Sequence, residues 1–233
     1  NEAYENALAG VALIYSRPDA AAAQADLIDS GPFFGMSYYD LVVDVLDTIA
    51  WSQGDGSYRG GWSYSVQTSN AGRYDGSIQQ WAALLLKMGQ ERWGLVAPDW
   101  VMSNAVYGLQ QIQDPVSGGV GYTDNASWRN LAKTGGMLLT YGLGGKFAGD
   151  ADADLGIAYI QNFWDANRGG SSVENAGWAG NWYAMFGLTK GLTQQRLGTL
   201  RINGEMRNWR AELSGWLLGD ANLLAPTLSP SYR

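Results

Sequence analysis

A repeated unit is the sequence feature that most constrains what this chain can fold into. Glycine-rich turns with aromatic residues, at Gly54–Ser65 and Ser117–Tyr122, each precede an apolar stretch, and a weaker turn follows at Arg168–Gly170. Counted from Gly60, the spacing to the two later turns is 58 and then 51 residues. A period of about 50 residues suits one helical hairpin with a long turn, as in helical repeat proteins. The sequence therefore predicts a stack of helical hairpins.

The stretches between the turns are of two kinds. Ser37–Gln53 places apolar residues on one face and three aspartates on another, which is typical of an amphipathic surface helix. Ile78–Met88 and Leu131–Leu143 are apolar nearly all round, which is typical of helices buried on every side. This alternation predicts an inner and an outer ring of helices in an all-α fold. No window outside the aromatic turns favours a strand.

We expect one repeat domain over residues 1–220. Residues 221–233 contain Pro226 and Pro230 and are expected to form an extended C-terminal tail. No apolar run reaches the length of about 18 residues that a membrane-spanning helix needs. No secretory signal is visible at the N-terminus, so if the protein is exported, either its signal has been removed or the sequence is part of a larger chain.

Composition excludes several function classes. The 233 residues include neither Cys nor His, which excludes thiol nucleophiles, Ser-His-Asp catalysis, Cys/His zinc sites and disulfides. The net charge of −7 argues against a nucleic-acid partner. An acidic, Lys-poor, Cys-free chain favours export, and we expect it outside the cell or at the cell surface, with the periplasm as an alternative.

The turns carry a resemblance to a known family. The stretch Ile49–Trp62 resembles the Gln-Trp repeat of squalene-hopene and oxidosqualene cyclases, within the prenyltransferase and squalene-cyclase superfamily. In that repeat a helix ends in Gln, and a Gly, one residue and an aromatic follow. The Gln amide is expected to bond the last carbonyls of one helix and the first amides of the next, while the ring packs on it. The residues that match this structural clamp are Gln53, Gly56 and Tyr58, and then Gln113 and Gly119.

The resemblance implies an α/α toroid of antiparallel helical hairpins, of which about four are countable where the family's full ring has six. The toroid is therefore partial, or is completed by another chain or by further sequence. The family's catalytic motifs are missing: its zinc site needs Cys and His, and its Asp-x-Asp-Asp acid has only Asp150, Asp152 and Asp154 as a distant counterpart. We predict no catalytic residue, no metal site and no cofactor.

Candidate ligand-binding residues cluster at the turns that lead into the inner helices. Aromatic side chains at a cavity mouth can stack on sugar rings or line an apolar pocket, and carboxylates in pairs can hydrolyse glycosidic bonds. The same aromatics can instead hold adjacent hairpins together, and Asp75 and Asp124 can be N-cap or turn residues. The candidates are Trp62, Tyr64, Asp75, Tyr122, Asp124, Trp128, Trp178 and Trp182.

The leading interpretation is a non-catalytic, exported repeat domain that acts as a structural or binding module and self-assembles or binds other surface proteins. Two alternatives stay open at this point. One is a carbohydrate-active enzyme or polysaccharide binder, and the other is a toroid that binds a lipid or isoprenoid.

Overall fold

The computed structural model describes residues 2–66, 73–170 and 172–219. About 55% of the described chain is helical, and the helix-rich class that the sequence predicts is confirmed. The predicted tail at 221–233 lies outside the described residues. The helices are α1 Glu2–Ser16, α2 Ala20–Ala25, α3 Tyr38–Trp51, α4 Gln79–Trp93, α5 Asp99–Ile112, α6 Leu131–Leu143, α7 Ala151–Phe163, α8 Trp182–Gln194 and α9 Trp209–Leu218, with a 3₁₀ turn at Gly56–Tyr58 and strands β1 Leu200–Ile202 and β2 Glu205–Arg207.

The chain divides into two compact units, Asn1–Gln111 and Ile112–Arg233, which are described separately. The prediction of a single domain over 1–220 stays a prediction. In the first unit α1 packs on α3 and α4. The buried residues of α1 recur at helical spacing, and Gly10 allows the side chain of Leu85 on α4 to approach closely. Helix α4 is buried on nearly every side, as its apolar composition predicts.

In the second unit α6 packs against both α7 and α8. Every residue from Leu131 to Gly142 is buried, so the prediction of a helix enclosed on all sides is confirmed here too. The backbones of α6 and α8 come into contact where neither has a side chain: a Cβ added to Gly191 would lie 2.1 Å from the carbonyl oxygen of Gly135. No helix in the described ranges is long and apolar enough to cross a membrane.

The prediction that no strand forms outside the aromatic turns was wrong in one place. β1 and β2 form an antiparallel hairpin joined by Asn203 and Gly204, which have φ angles of +51° and +87°. An Asn-Gly pair is a strong hairpin signal because both residues tolerate the left-handed turn. The helical periodicity on either side obscured that signal.

The turn after α3 is closed by Gln53. Its Nε2 donates to the carbonyl oxygen of Val101, in the first turn of α5, at 3.0 Å, and to that of Gly60 at 3.4 Å. Gly60 has a φ of +83°, and a Cβ there would lie 1.7 Å from the carbonyl oxygen of Asn104, three residues after Val101. Only glycine therefore fits where this turn meets α5.

The turn after α5 repeats this arrangement. Nε2 of Gln113 donates to the carbonyl oxygen of Asp152, in the first turn of α7, at 2.9 Å, and to that of Gly118 at 3.1 Å. Gly118 has a φ of +81°, and a Cβ there would lie 2.0 Å from the carbonyl oxygen of Leu155, again three residues further along the helix. In addition, Oε1 of Gln113 accepts from the Tyr141 hydroxyl at 2.8 Å.

The backbone of the two turns also matches. The amide of Gly54 donates to the Gly61 carbonyl at 2.7 Å, and the amide of Asp114 donates to the Gly119 carbonyl at 2.9 Å. The two turns are therefore structural copies of one unit. The expectation that the glutamine also accepts from the first amides of the next helix was wrong: Oε1 of Gln113 accepts from the Tyr141 hydroxyl instead, and no amide donates to the buried Oε1 of Gln53.

The other predicted clamp residues lie beside these contacts. Gly56 begins the 3₁₀ turn with open space around its Cα, and the Tyr58 ring meets the Tyr74 ring edge-on at 5.5 Å. Gly119 packs against the ring of Tyr159, where a Cβ would lie 2.5 Å from the nearest ring atom. In the first turn the close approach to the next helix is thus made by Gly60 and not by the predicted Gly56.

We expect Gly118→Ala to lower the free energy of unfolding far more than Gly145→Ala. Both glycines have nearly the same φ, +81° and +84°, so an alanine at either position incurs the same conformational cost of about 1–2 kcal/mol. Only Gly118 faces another backbone, and relieving that overlap should cost about 2 kcal/mol more. Urea denaturation of the two variants measures the difference, and equal losses would contradict the close contact.

Candidate functional site

Two of the predicted aromatics belong to the packed interior. Trp62 is fully buried, and its Nε1 donates to the carbonyl oxygen of Ile49 at 2.8 Å, near the end of α3. Trp178 is 7% exposed and packs on the ring of Trp164 with a centroid separation of 5.4 Å. Neither indole presents a free face for a ligand, and both join helices to the turns beside them.

Asp75 lies in the turn before α4 rather than at its N-cap, because α4 begins at Gln79. Its side chain is fully buried, and Oδ1 accepts from the backbone amide of Ser77 at 3.0 Å and from the hydroxyl of the same residue. The guanidinium of Arg73 lies 3.7 Å from Oδ2 and 5.7 Å from the ring centroid of Tyr64. Asp75 thus orders the turn that leads into α4.

Three further candidates share one loop, residues 122–128. Oδ1 of Asp124 accepts from the amides of Ala126 and Ser127 at 2.8 and 2.9 Å, and the bond from Ala126 is the main reason that the pKa of Asp124 is lowered. The rings of Tyr122 and Trp128 pack together at 5.5 Å. Trp128 is 45% exposed and has a φ of +55°, an uncommon conformation for a bulky residue. Asp124 therefore acts as the turn residue that holds this aromatic pair.

Trp182, the last candidate, is the most exposed tryptophan of the described residues, at 61%. It is the first residue of α8, and its ring meets the Trp216 ring edge-on at 5.3 Å. It lines a cleft of about 490 Å³ formed by two segments, 168–170 and 180–183. An exposed indole in a cleft of this size is the arrangement that best fits a ligand site.

Asn181 fixes the shape of this cleft. Its Oδ1 accepts from the amide of Ala184 at 3.1 Å and caps α8, while its Nδ2 donates to the Gly169 carbonyl at 2.7 Å. The two segments are thus tied together by one side chain. Sequence reasoning identified the 168–170 turn and Trp182 but missed Arg168 and Tyr183 as lining residues, because only the folded chain brings the two segments together.

Two carboxylates of the second unit share one arginine. Arg129 binds both Asp114 and Glu174, and its Nε lies 2.6 Å from Oε1 of Glu174. Partial burial acts to raise the pKa of Asp114, but hydrogen bonds led by that from the Ser117 hydroxyl outweigh it and lower the pKa. Within the described residues no group of three or more Asp and Glu side chains is arranged to hold a metal ion.

The candidate carboxylates Asp75 and Asp124 accept hydrogen bonds from the turns in which they lie, and the exposed Trp182 lies apart from them in sequence. Comparison of the chain with protein-family models, with curated proteins and with solved structures finds no match. The resemblance to the cyclase repeat accordingly stays a prediction.

We expect Asp124→Asn to destabilise the protein at neutral pH, with the difference from wild type shrinking in acid. A lowered pKa in the folded state gives stability that is complete above the unfolded value of about 3.9 and is lost as the pH falls through the folded value. Thermal unfolding from pH 7 to pH 2.5 measures this. Asp44→Asn removes the same charge from an exposed helix position and serves as the control. A pH-independent difference for Asp124→Asn would contradict the structural role.

Proposed function

We propose that the chain is a non-catalytic, exported binding module built on an α/α repeat. The enclosed helices α4 and α6, the amphipathic α3 and the two matching glutamine turns support helical hairpins of the toroid type. The absence of Cys and the low Lys content support a location outside the cytoplasm, at the cell surface or in the periplasm.

The observation that carries this proposal is the exposure of Trp182 in a formed cleft. An indole is the largest apolar surface that a side chain offers, and 61% of that of Trp182 stays open to water beside the cleft, where a ligand can cover it. The candidate carboxylates differ from Trp182, because Asp75 and Asp124 accept hydrogen bonds from the turns in which they lie.

A polysaccharide is the ligand class that this cleft favours. The apolar face of a pyranose ring packs on an indole, while its hydroxyls need polar partners at the edge of the ring. Tyr183, Arg168 and the exposed backbone around Gly170 line the cleft beside Trp182 and can supply such partners. The isoprenoid-binding alternative stays a prediction.

Self-association is supported by a different observation. Helices α4 and α6 are enclosed, whereas α8 leaves Trp182, Thr189 and Thr193 exposed along one face. An exposed helix face in a repeat protein can dock a further chain. This role is compatible with ligand binding at the start of α8, and it too stays a proposal.

We expect the protein to be retarded in native gels that contain a polysaccharide it binds, without shortening the polymer. Trp182→Ala should abolish the retardation, because the indole supplies the stacking surface. Trp51→Ala removes another exposed tryptophan, 55% exposed, from the end of α3 and should leave the retardation unchanged. Depolymerisation that disappears in Asp75→Asn would contradict the non-catalytic proposal and favour an enzyme.

A further inference from the structure

The loop between α2 and α3 holds large apolar side chains in water. Residues 27–36, the Phe34 loop, contain three that are at least 46% exposed: Leu27, Phe33 and Phe34. The amide of Ile28 donates to the Met36 carbonyl and the amide of Gly35 donates to the Ile28 carbonyl, each at 2.9 Å. These bonds close the loop at its base, so the two adjacent phenyl rings are presented at a defined position. Exposed apolar surface of this kind is typical of an interaction site.

An apolar groove that fits a single side chain lies beside α3. Its volume is about 80 Å³, well below the ~300–1,000 Å³ of clefts that hold small molecules. Asp47 is the only charged residue among the described residues that line it, and Val96 is 72% exposed there. The apolar lining of this α3 groove includes Val43, Leu46, Ala50, Leu95, Val96 and Pro98.

The Phe34 loop and the α3 groove are separate surfaces of the first unit. The loop is followed by Ser37, the N-cap of α3, whereas the groove takes its α3 residues from Val43 to Ala50. With a rise of about 1.5 Å per residue, those positions lie about 9–20 Å further along the helix. Phe34 is 74% exposed and does not line the groove. A chain therefore does not fill its own groove, which leaves both surfaces open to a second copy.

We propose that the Phe34 loop of one copy docks in the α3 groove of the next copy. The chain itself supplies an exposed phenyl ring and a groove of side-chain size, and their contact would remove both apolar surfaces from water. Because loop and groove are different surfaces, the contact is head-to-tail and leaves a free loop at one end and a free groove at the other. Further copies can then add to either end. This inference goes beyond the proposed ligand cleft and does not use α8.

A lipid surface is a poorer match for the loop. Loops and helices that lie in a membrane interface usually bring basic side chains to the anionic headgroups. No Lys or Arg occurs between Pro18 and Tyr58, and Asp29 is exposed within the Phe34 loop. The charge around the loop therefore favours an apolar protein surface.

The test is sedimentation velocity of the full chain across a concentration series. We expect the average mass of wild type to rise steadily with concentration. Phe34→Asp and Val96→Asp should each lower the association constant at least tenfold, because docking would bury a carboxylate without a partner. Val116→Asp adds the same charge at a valine of the second unit that is 87% exposed, and it should assemble as wild type does.

Mixing the two deficient variants tests the pairing of loop and groove itself. Phe34→Asp keeps an intact groove and Val96→Asp keeps an intact loop, so an equimolar mixture can form one contact and no second one. We expect the mixture to form a dimer and nothing larger, although each variant alone stays monomeric. A mixture that stays monomeric at concentrations where wild type assembles would overturn the inference. Circular dichroism checks that both variants are folded, and Phe34→Ser replaces Phe34→Asp if that variant unfolds.

Salt and lipid provide two further outcomes. The net charge of −7 makes copies repel one another, so screening by salt should strengthen an apolar contact. Association that weakens in high salt, or a wild type that stays monomeric at every concentration, would overturn the inference. Binding of monomeric wild type to phosphatidylcholine vesicles that is lost in Phe34→Asp would overturn it too, and would assign the loop to a lipid surface.

Polysaccharide binding separates this inference from the proposed function. Phe34→Asp should be retarded by a bound polysaccharide as wild type is, and Trp182→Ala should still assemble. A wild type that assembles but binds no polysaccharide would contradict the proposed cleft and support the contact between loop and groove. Assembly that is lost in Trp182→Ala but kept in Phe34→Asp would place the contact on α8 and overturn the inference.

Discussion

The close approach of a turn backbone to the next helix, held by a buried glutamine, is the constraint on which the rest of the structure depends. Gly60 and Gly118 meet the carbonyls of Asn104 and Leu155 at distances that leave no room for a side chain. Gln53 and Gln113 cross from the preceding helix to bond the same segments. These contacts fix the position of α5 against the turn after α3, and of α7 against the turn after α5.

Within these turns and loops, the candidate carboxylates bond to the backbone around them. Asp124 accepts hydrogen bonds from backbone amides of its own loop. Asp75 accepts one from the amide of Ser77 in the turn before α4. Buried or partly buried carboxylates in such roles stabilise the turn because each hydrogen bond replaces one lost to water. The start of α8 is different, since an indole stays exposed there, and this difference is what supports the proposed binding role.

Sequence periodicity predicted the helical class and the enclosure of α4 and α6, because a helix that is apolar on every face loses stability wherever one of those faces meets water. It also located the two glutamine turns. It could not separate Trp62, which is buried, from Trp182, which is exposed, since each lies within two residues after a glycine. That difference depends on what packs beside each ring in the folded chain. The approach of Arg168 to the start of α8 also depends on the folded chain, and local sequence does not contain this information.

The glutamine clamp can be tested directly in solution by NMR measurement of hydrogen exchange at the side-chain amides of Gln53 and Gln113. Side-chain amides exposed to water exchange quickly, whereas donors held in buried bonds exchange only when the structure opens. The account predicts that both Nε2 groups exchange slowly, on the timescale of the protected backbone amides of α4 and α6. Exchange at the rate of the exposed side chain of Gln111 would contradict the clamp and the repeat built on it.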